Sequence, residues 1–248
     1  MRFLALGDSY TIGESVDPAE RWPAQLAAQL RERGLAIDDP ILVARTGWTT
    51  DELTVAIDQA DLRGAFDLVS LLIGVNNQYR GRDADEYRRE FAALLRRAVG
   101  FAGKAPSRVL VLSIPDWGVT PFAAERDRAT IAAEIDRFNA INRDETWQLG
   151  ARYIDVTPVS RKAAADASLI AGDGLHPSGR MYAEWVRLVE PIALEALSSA
   201  GLGLRFERVP DDCHPREIRP IQPARVLVQP VLQKVAVVPH LYLARHQP

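Results

Sequence analysis

A single cysteine, Cys213, occurs in the 248 residues. No intrachain disulfide can form, and the fold does not depend on an oxidising compartment. Histidine is scarce too. Of four, His214, His240 and His246 fall near the C-terminus, which leaves His176 alone in the body of the chain. Without further histidines, cysteines or a His-Glu-x-x-His pattern there, zinc's usual ligand set is missing, and no metal is expected. Long apolar runs are absent as well. Nothing approaches the roughly 20 residues of a membrane span, and the apolar run at residues 3–6 is too short for a secretory leader. A cytoplasmic protein without a membrane span is expected. Neither sign of charge dominates. A formal net charge of −3 carries no footprint of a nucleic-acid partner. No Gly-x-x-x-x-Gly-Lys-[Ser/Thr] and no Gly-x-Gly-x-x-Gly occurs, so nothing calls for a nucleotide cofactor. The absence of Gly-x-Ser-x-Gly disfavours the ordinary α/β-hydrolase elbow.

What is present is an alternation. With 47% hydrophobic and 25% charged residues, the chain can bury a substantial core. Short apolar runs at residues 3–6, 41–44, 68–73, 109–114 and 153–156 read as strands. Between them lie helical periods: residues 23–33, opened by Pro23, then 51–60, 84–102 with Tyr87, Phe91, Leu94, Leu95, Ala98 and Val99 on one face, and a stretch carrying Ile131, Ile135, Phe138 and Ile141. A last helix carries Met181, Trp185, Leu188 and Val189, and Pro191 is expected to kink or interrupt it. Five strands alternating with helices predict an α/β fold, a three-layer α/β/α sandwich around a five-stranded parallel sheet, flavodoxin-like in architecture. Residues 205–248 differ. They hold seven prolines and no glycine, and read as a proline-rich extension to a domain spanning 1–204. That extension is expected to be dispensable for chemistry, though its valine cluster could mediate self-association into a homo-oligomer.

In a parallel sheet the site lies beyond the carboxyl ends of the strands, and polar residues gather there. The first strand runs into Gly7-Asp8-Ser9. The second leads to Gly47 and Trp48, and the third to Gly74-Val75-Asn76-Asn77. Near the last helix stands Asp173-Gly-Leu-His176. A carboxylate three residues before an imidazole can accept its Nδ1–H and leave Nε2 as a base. Taken singly, each piece has a plain alternative. His176 could be a surface or core histidine, Gly-Asp-Ser a helix cap, Asn76 a turn residue and Gly47 a loop glycine.

Their joint order resembles the SGNH hydrolases, also called the GDSL family, over roughly residues 2–199. The chain departs from the commonest blocks at Tyr10, where leucine is frequent, at Asn77, where aspartate is frequent, and in lacking an asparagine before Gly47. The resemblance implies Ser9 as nucleophile, His176 as general base and Asp173 as its orienting acid. The Ser9 and Gly47 N–H groups and the Asn76 side chain then form an oxyanion hole. It implies a serine hydrolase cleaving small carboxylic esters with short acyl or aryl groups. Thioesterase, lysophospholipase and carbohydrate O-acetyl esterase activity are alternatives on the same triad, and a non-catalytic flavodoxin-like binding module is the rival of another class. Trp48, Tyr79, Trp117 and Phe122 lie just past strand ends, where they either line an acyl pocket or pack helices on the sheet.

Overall fold

The structure is a computed structural model and describes residues 1–198. The extension expected at 205–248, with its roles in dispensability and self-association, lies outside the described residues. Five parallel strands, β1 (Phe3–Gly7), β2 (Ile41–Ala44), β3 (Leu68–Leu72), β4 (Val109–Leu112) and β5 (Arg152–Ile154), form one sheet in the order β2-β1-β3-β4-β5. Every residue of β1, β3 and β4 is buried, as expected of strands covered on both faces. At the edge, β2 is half-buried.

The helices are α1 (Ser9–Ile12), α2 (Trp22–Glu32), α3 (Thr50–Gln59), α4 (Val75–Tyr79), α5 (Ala84–Phe101), α6 (Arg128–Gln148), α7 (Thr157–Ser160) and α8 (Gly179–Ser198). The strand order explains their layering. The chain steps one way from β1 to β2, then back across β1 to β3 and onward. With right-handed crossovers, α2 falls on one face and α3, α5 and α6 on the other. Accordingly α2 packs on α8, and α5 packs on α3 and α6. The predicted stripe of α5 is inward: Tyr87, Phe91, Leu94, Leu95 and Ala98 are buried. Burial of each large side chain of this kind contributes roughly 1.5–3 kcal/mol. The helix starts where it does because the Asp83 carboxylate accepts the backbone N–H groups of Asp85 and Glu86.

Two differences from the sequence reading have physical causes. Strands expected to reach residues 73, 114 and 156 leave the ladder at 72, 112 and 154, because side chains take over the next peptide groups. Asn139 brackets Ile114, accepting its N–H at 2.7 Å and donating to its carbonyl at 2.9 Å. The Ser113 hydroxyl accepts the Val156 N–H at 2.8 Å. The second difference is Pro191. The last helix is not interrupted there and runs on to Ser198. One missing N–H is tolerated because both halves are held by burial, Trp185, Val186 and Val189 before the proline and Ala193, Ala196 and Leu197 after it.

Reversal of the chain at β1 makes a switch point between β1 and β3. Crevices for ligands form at such points, outside the carboxyl ends of the strands.

Candidate active site

A cavity of about 180 Å³ opens at that end of the sheet, lined by the segments that follow β1, β2, β3 and β4 and by the loop before α8. Ser9 and Tyr10 come from beyond β1, Thr46 and Gly47 from beyond β2, and Val75, Asn76 and Tyr79 from α4 beyond β3. Trp117 and Phe122 follow β4, and Leu175 and His176 precede α8. The structure thus brings Ser9, Gly47, Asn76 and His176 to one cavity. Asp173 stands behind His176. Trp48 is not in the lining; it is half-buried against the core, and its carbonyl is taken by the Asn76 side chain.

Ser9 opens α1. Gly7 before it has no room for a side chain, since a Cβ there would lie 2.2 Å from the Thr11 hydroxyl and 2.4 Å from the Leu72 carbonyl. This close approach lets the strand turn directly into the helix. Asp8 caps that helix: its Oδ1 accepts the Tyr10 N–H at 3.0 Å, and its carbonyl accepts those of Thr11 and Ile12. The Ser9 N–H, at the first helical position, has no intrahelical acceptor.

Asp8 is fully buried. Desolvation pushes its carboxyl up to about 7, against the lowering effect of the backbone N–H groups of Tyr10 and of Asp8 itself. Between about pH 4 and pH 7 the folded chain holds a proton that the unfolded chain releases, so this group's contribution is full below that window and lost as pH rises through it. Asp8→Asn should therefore reduce the fall in stability from acid to neutral pH by on the order of a few kcal/mol. Urea unfolding of both proteins at mildly acidic and at mildly alkaline pH measures this, and an unchanged difference would rule it out.

His176 is held on three sides. Its Nδ1 lies 2.6 Å from Asp173 Oδ2, its backbone N–H donates to Asp173 Oδ1 at 3.0 Å, and the Tyr10 ring meets the imidazole edge-on at 5.7 Å. Partial burial alone would raise the Asp173 carboxyl. Hydrogen bonds from Ser15 and His176 side chains and from the Leu175 and His176 N–H groups outweigh it and hold the group well below the usual carboxylate range. An ionised Asp173 at Nδ1 favours the tautomer with Nε2 unprotonated.

On the β2 side, the Trp48 N–H closes a turn onto the Arg45 carbonyl, with Gly47 at φ 86°. That backbone favours glycine. Arg80 donates to the Gly47 carbonyl at 2.6 Å, which fixes the orientation of this peptide. Asn76 Nδ2 donates to the Trp48 carbonyl at 2.9 Å, and an amide retains a second hydrogen after one such bond. Asn77 tethers the same two loops: its Oδ1 accepts the Thr50 N–H at 3.1 Å, and its Nδ2 donates to the Thr50 hydroxyl at 2.7 Å.

The remaining wall is aromatic. Tyr79, Trp117 and Phe122 meet pairwise, with centroids 5.4, 6.3 and 5.9 Å apart. Trp117 is buried, whereas Tyr79 and Phe122 are 45% and 46% exposed and stand at the mouth. The indole is pinned, its Nε1 donating to Gln78 Oε1 at 2.8 Å while Gln78 Nε2 donates to Glu134 at 2.7 Å. Sequence reasoning gave no role to Ser15, Thr46, Val75 or Leu175. Thr46, Val75 and Leu175 are neighbours of assigned residues and line the cavity with them, whereas Ser15 reaches Asp173 only through the fold.

Residues 5–184 match the model of the GDSL-like lipase/acylhydrolase family. Among solved structures, TesA matches with a TM-score of 0.62 and 18% identity, over 79% of this chain and 100% of that one. A lipase/acylhydrolase from Enterococcus faecalis matches with a TM-score of 0.61 and 20% identity, over 77% and 94%. Axe2, an acetylxylan esterase from Geobacillus stearothermophilus, matches with a TM-score of 0.58 and 18% identity, over 79% and 93%. At these identities the likeness speaks to the fold. A comparison with curated proteins gave no match. Among the described residues, no helix is long and apolar enough to cross a membrane. With nearly three quarters of its length under one family model, the chain belongs to the GDSL-like lipase/acylhydrolase family and is a hydrolase of that kind.

Proposed function

We propose that the protein hydrolyses small carboxylic esters, with short acyl or aryl groups, through an acyl-enzyme on Ser9. The observation that carries this reading is the imidazole of His176, held at Nδ1 by an ionised Asp173 and lining the same cavity as Ser9. In the first step Nε2 of His176 takes the proton of Ser9 as Oγ attacks the ester carbonyl. The negative charge on the carbonyl oxygen is met by the Ser9 and Gly47 N–H groups and the second amide hydrogen of Asn76. The imidazolium, stabilised by Asp173, returns its proton to the departing alcohol. Water, deprotonated by the same imidazole, then releases the acid and regenerates Ser9.

Cavity size supports the substrate class. About 180 Å³ behind a mouth of Tyr79 and Phe122 suits a small acyl or aryl group better than a long chain held within the protein. The test is a rate profile over p-nitrophenyl esters of rising chain length, beside an acyl-CoA and an acetylated xylo-oligosaccharide. The last is included because a structural neighbour is an acetylxylan esterase. The reading expects kcat/KM to peak among the short esters. A peak at long chains, or on the acyl-CoA or sugar alone, would reassign the substrate while keeping the triad.

Asn76 gives a sharper expectation. Asn76→Ala should lower kcat by roughly 100- to 1000-fold with little change in KM, because an oxyanion donor acts mainly in the transition state. A change confined to KM would move Asn76 from catalysis to substrate binding.

A further inference from the structure

Ser15 adopts φ 64°, a left-handed conformation open to glycine without steric cost and disfavoured for serine. What serine adds over glycine at this position is a hydroxyl, and that hydroxyl donates to Asp173 Oδ2 at 2.7 Å. Oδ2 is the oxygen that receives Nδ1 of His176 at 2.6 Å. The other carboxylate oxygen, Oδ1, is held within its own loop by the N–H groups of Leu175 and His176 at 2.9 and 3.0 Å. The carboxylate is thus anchored locally through one oxygen, while the other is divided between the imidazole and a residue 158 positions away. Ser15 also lies six residues beyond Ser9 on the same segment, so this bond joins the segment that carries the proposed nucleophile to the loop that carries its proposed base.

We propose that Ser15 is a positioning residue for the Asp173–His176 pair: its hydroxyl fixes the carboxylate that orients the imidazole and shares the negative charge on Oδ2, the oxygen that faces Nδ1. The inference rests on the Ser9–His176–Asp173 reading above. A donor on Oδ2 draws charge away from the imidazole, so removing it strengthens the hold of Oδ2 on an imidazolium. Other titratable groups surround the pair. Tyr10 packs on His176 and feels the charges of Asp8, Asp116 and Asp173. Tyr182 of α8 feels those of Asp8, Asp173 and Glu14. These stay in place when Ser15 is changed. Ser15 is exposed to solvent, so water substitutes in part for a lost hydroxyl, and the effect is a tuning one.

The test compares Ser15→Gly and Ser15→Ala with the wild type on a short p-nitrophenyl ester across the acid limb of the pH profile, with thermal melts of each. Both variants should lose about three- to tenfold in kcat/KM, and in both the acid limb should move to higher pH. Stability should split the other way. Ser15→Gly should melt no lower than the wild type, since glycine suits this backbone, whereas Ser15→Ala should melt lower because it keeps the conformation and loses the bond. Activity would then follow the hydroxyl and stability the backbone, which a purely structural role does not produce. The inference is overturned if both variants keep the wild-type rate and limb, if the loss appears in Ser15→Ala alone in step with its melting temperature, or if the limb stays in place or moves to lower pH. Failure of the underlying reading looks different: Ser9→Ala or His176→Ala, assayed alongside, would retain activity.

Discussion

Ser9→Ala is expected to lower kcat for a short ester by about four to six orders of magnitude while leaving the fold intact. The size reflects a unit of nucleophile and base in which loss of one member disables the other, with the oxyanion hole and binding supplying what rate is left. Intactness of the fold follows from position. Ser9 opens α1, where alanine is a good helix former, and the cap of that helix comes from Asp8. A stability change within about 0.5 kcal/mol is expected of a substitution that makes no cavity and orphans no buried partner. Two measurements check the pair of claims, steady-state hydrolysis and a urea melt. Stoichiometric labelling by an organophosphate adds a third: one equivalent on the wild type, none on Ser9→Ala. A variant that kept most of its kcat would remove Ser9 from the chemistry, and labelling that persisted would show that the reagent reacts elsewhere.

How far such a site is legible in a sequence depends on the range over which its parts are coupled. The parallel sheet was legible because buried strands and amphipathic helices carry their own periods, and the α5 stripe from Tyr87 to Ala98 is the clearest case. Asp173 and His176 were legible as a pair because the bond between them closes over three residues. Gly7 stands in Gly7-Asp8-Ser9 as a glycine that permits a sharp turn, but the contacts that exclude any other residue are not local. The demand for glycine comes from Thr11 and from Leu72 on the neighbouring strand, and the second of these depends on register. Ser15 was invisible for the same cause. Its partner is 158 residues away, and a serine after a glutamate has no pattern of its own. For Trp48, a place just past a strand end leaves pocket lining and packing equally open; its loop turns at Gly47 and presents to Asn76 the tryptophan's carbonyl, with the side chain packed against the core. Pro191 predicts a kink or an interruption from its own chemistry, while burial along both halves of α8 keeps the helix uninterrupted through it.

His176→Ala is expected to match Ser9→Ala in depth, about four to six orders of magnitude in kcat, and the double variant to lose little more than either single one. The second statement is the stronger test. If the two residues acted independently, their effects would multiply and the double variant would fall by the product of the two. If Nε2 of His176 serves only to move the proton of Ser9, then once Ser9 is gone the imidazole has nothing to deprotonate in the first step, and its removal changes little. The acid limb of the rate should behave accordingly. Asp173 is held well below the usual carboxylate range and stays ionised through mildly acidic pH, so a fall in rate there reports another group. The His176→Ala variant should lack that limb in whatever rate it retains. Because His176 is nearly buried against the Tyr10 ring, its truncation leaves a small void. The comparison therefore belongs at a temperature where circular dichroism shows the variant folded. A folded His176→Ala protein with near-normal kcat, or with the acid limb unchanged, would separate Ser9 from its proposed base. Multiplying losses in the double variant would leave both residues important but assign them to different steps.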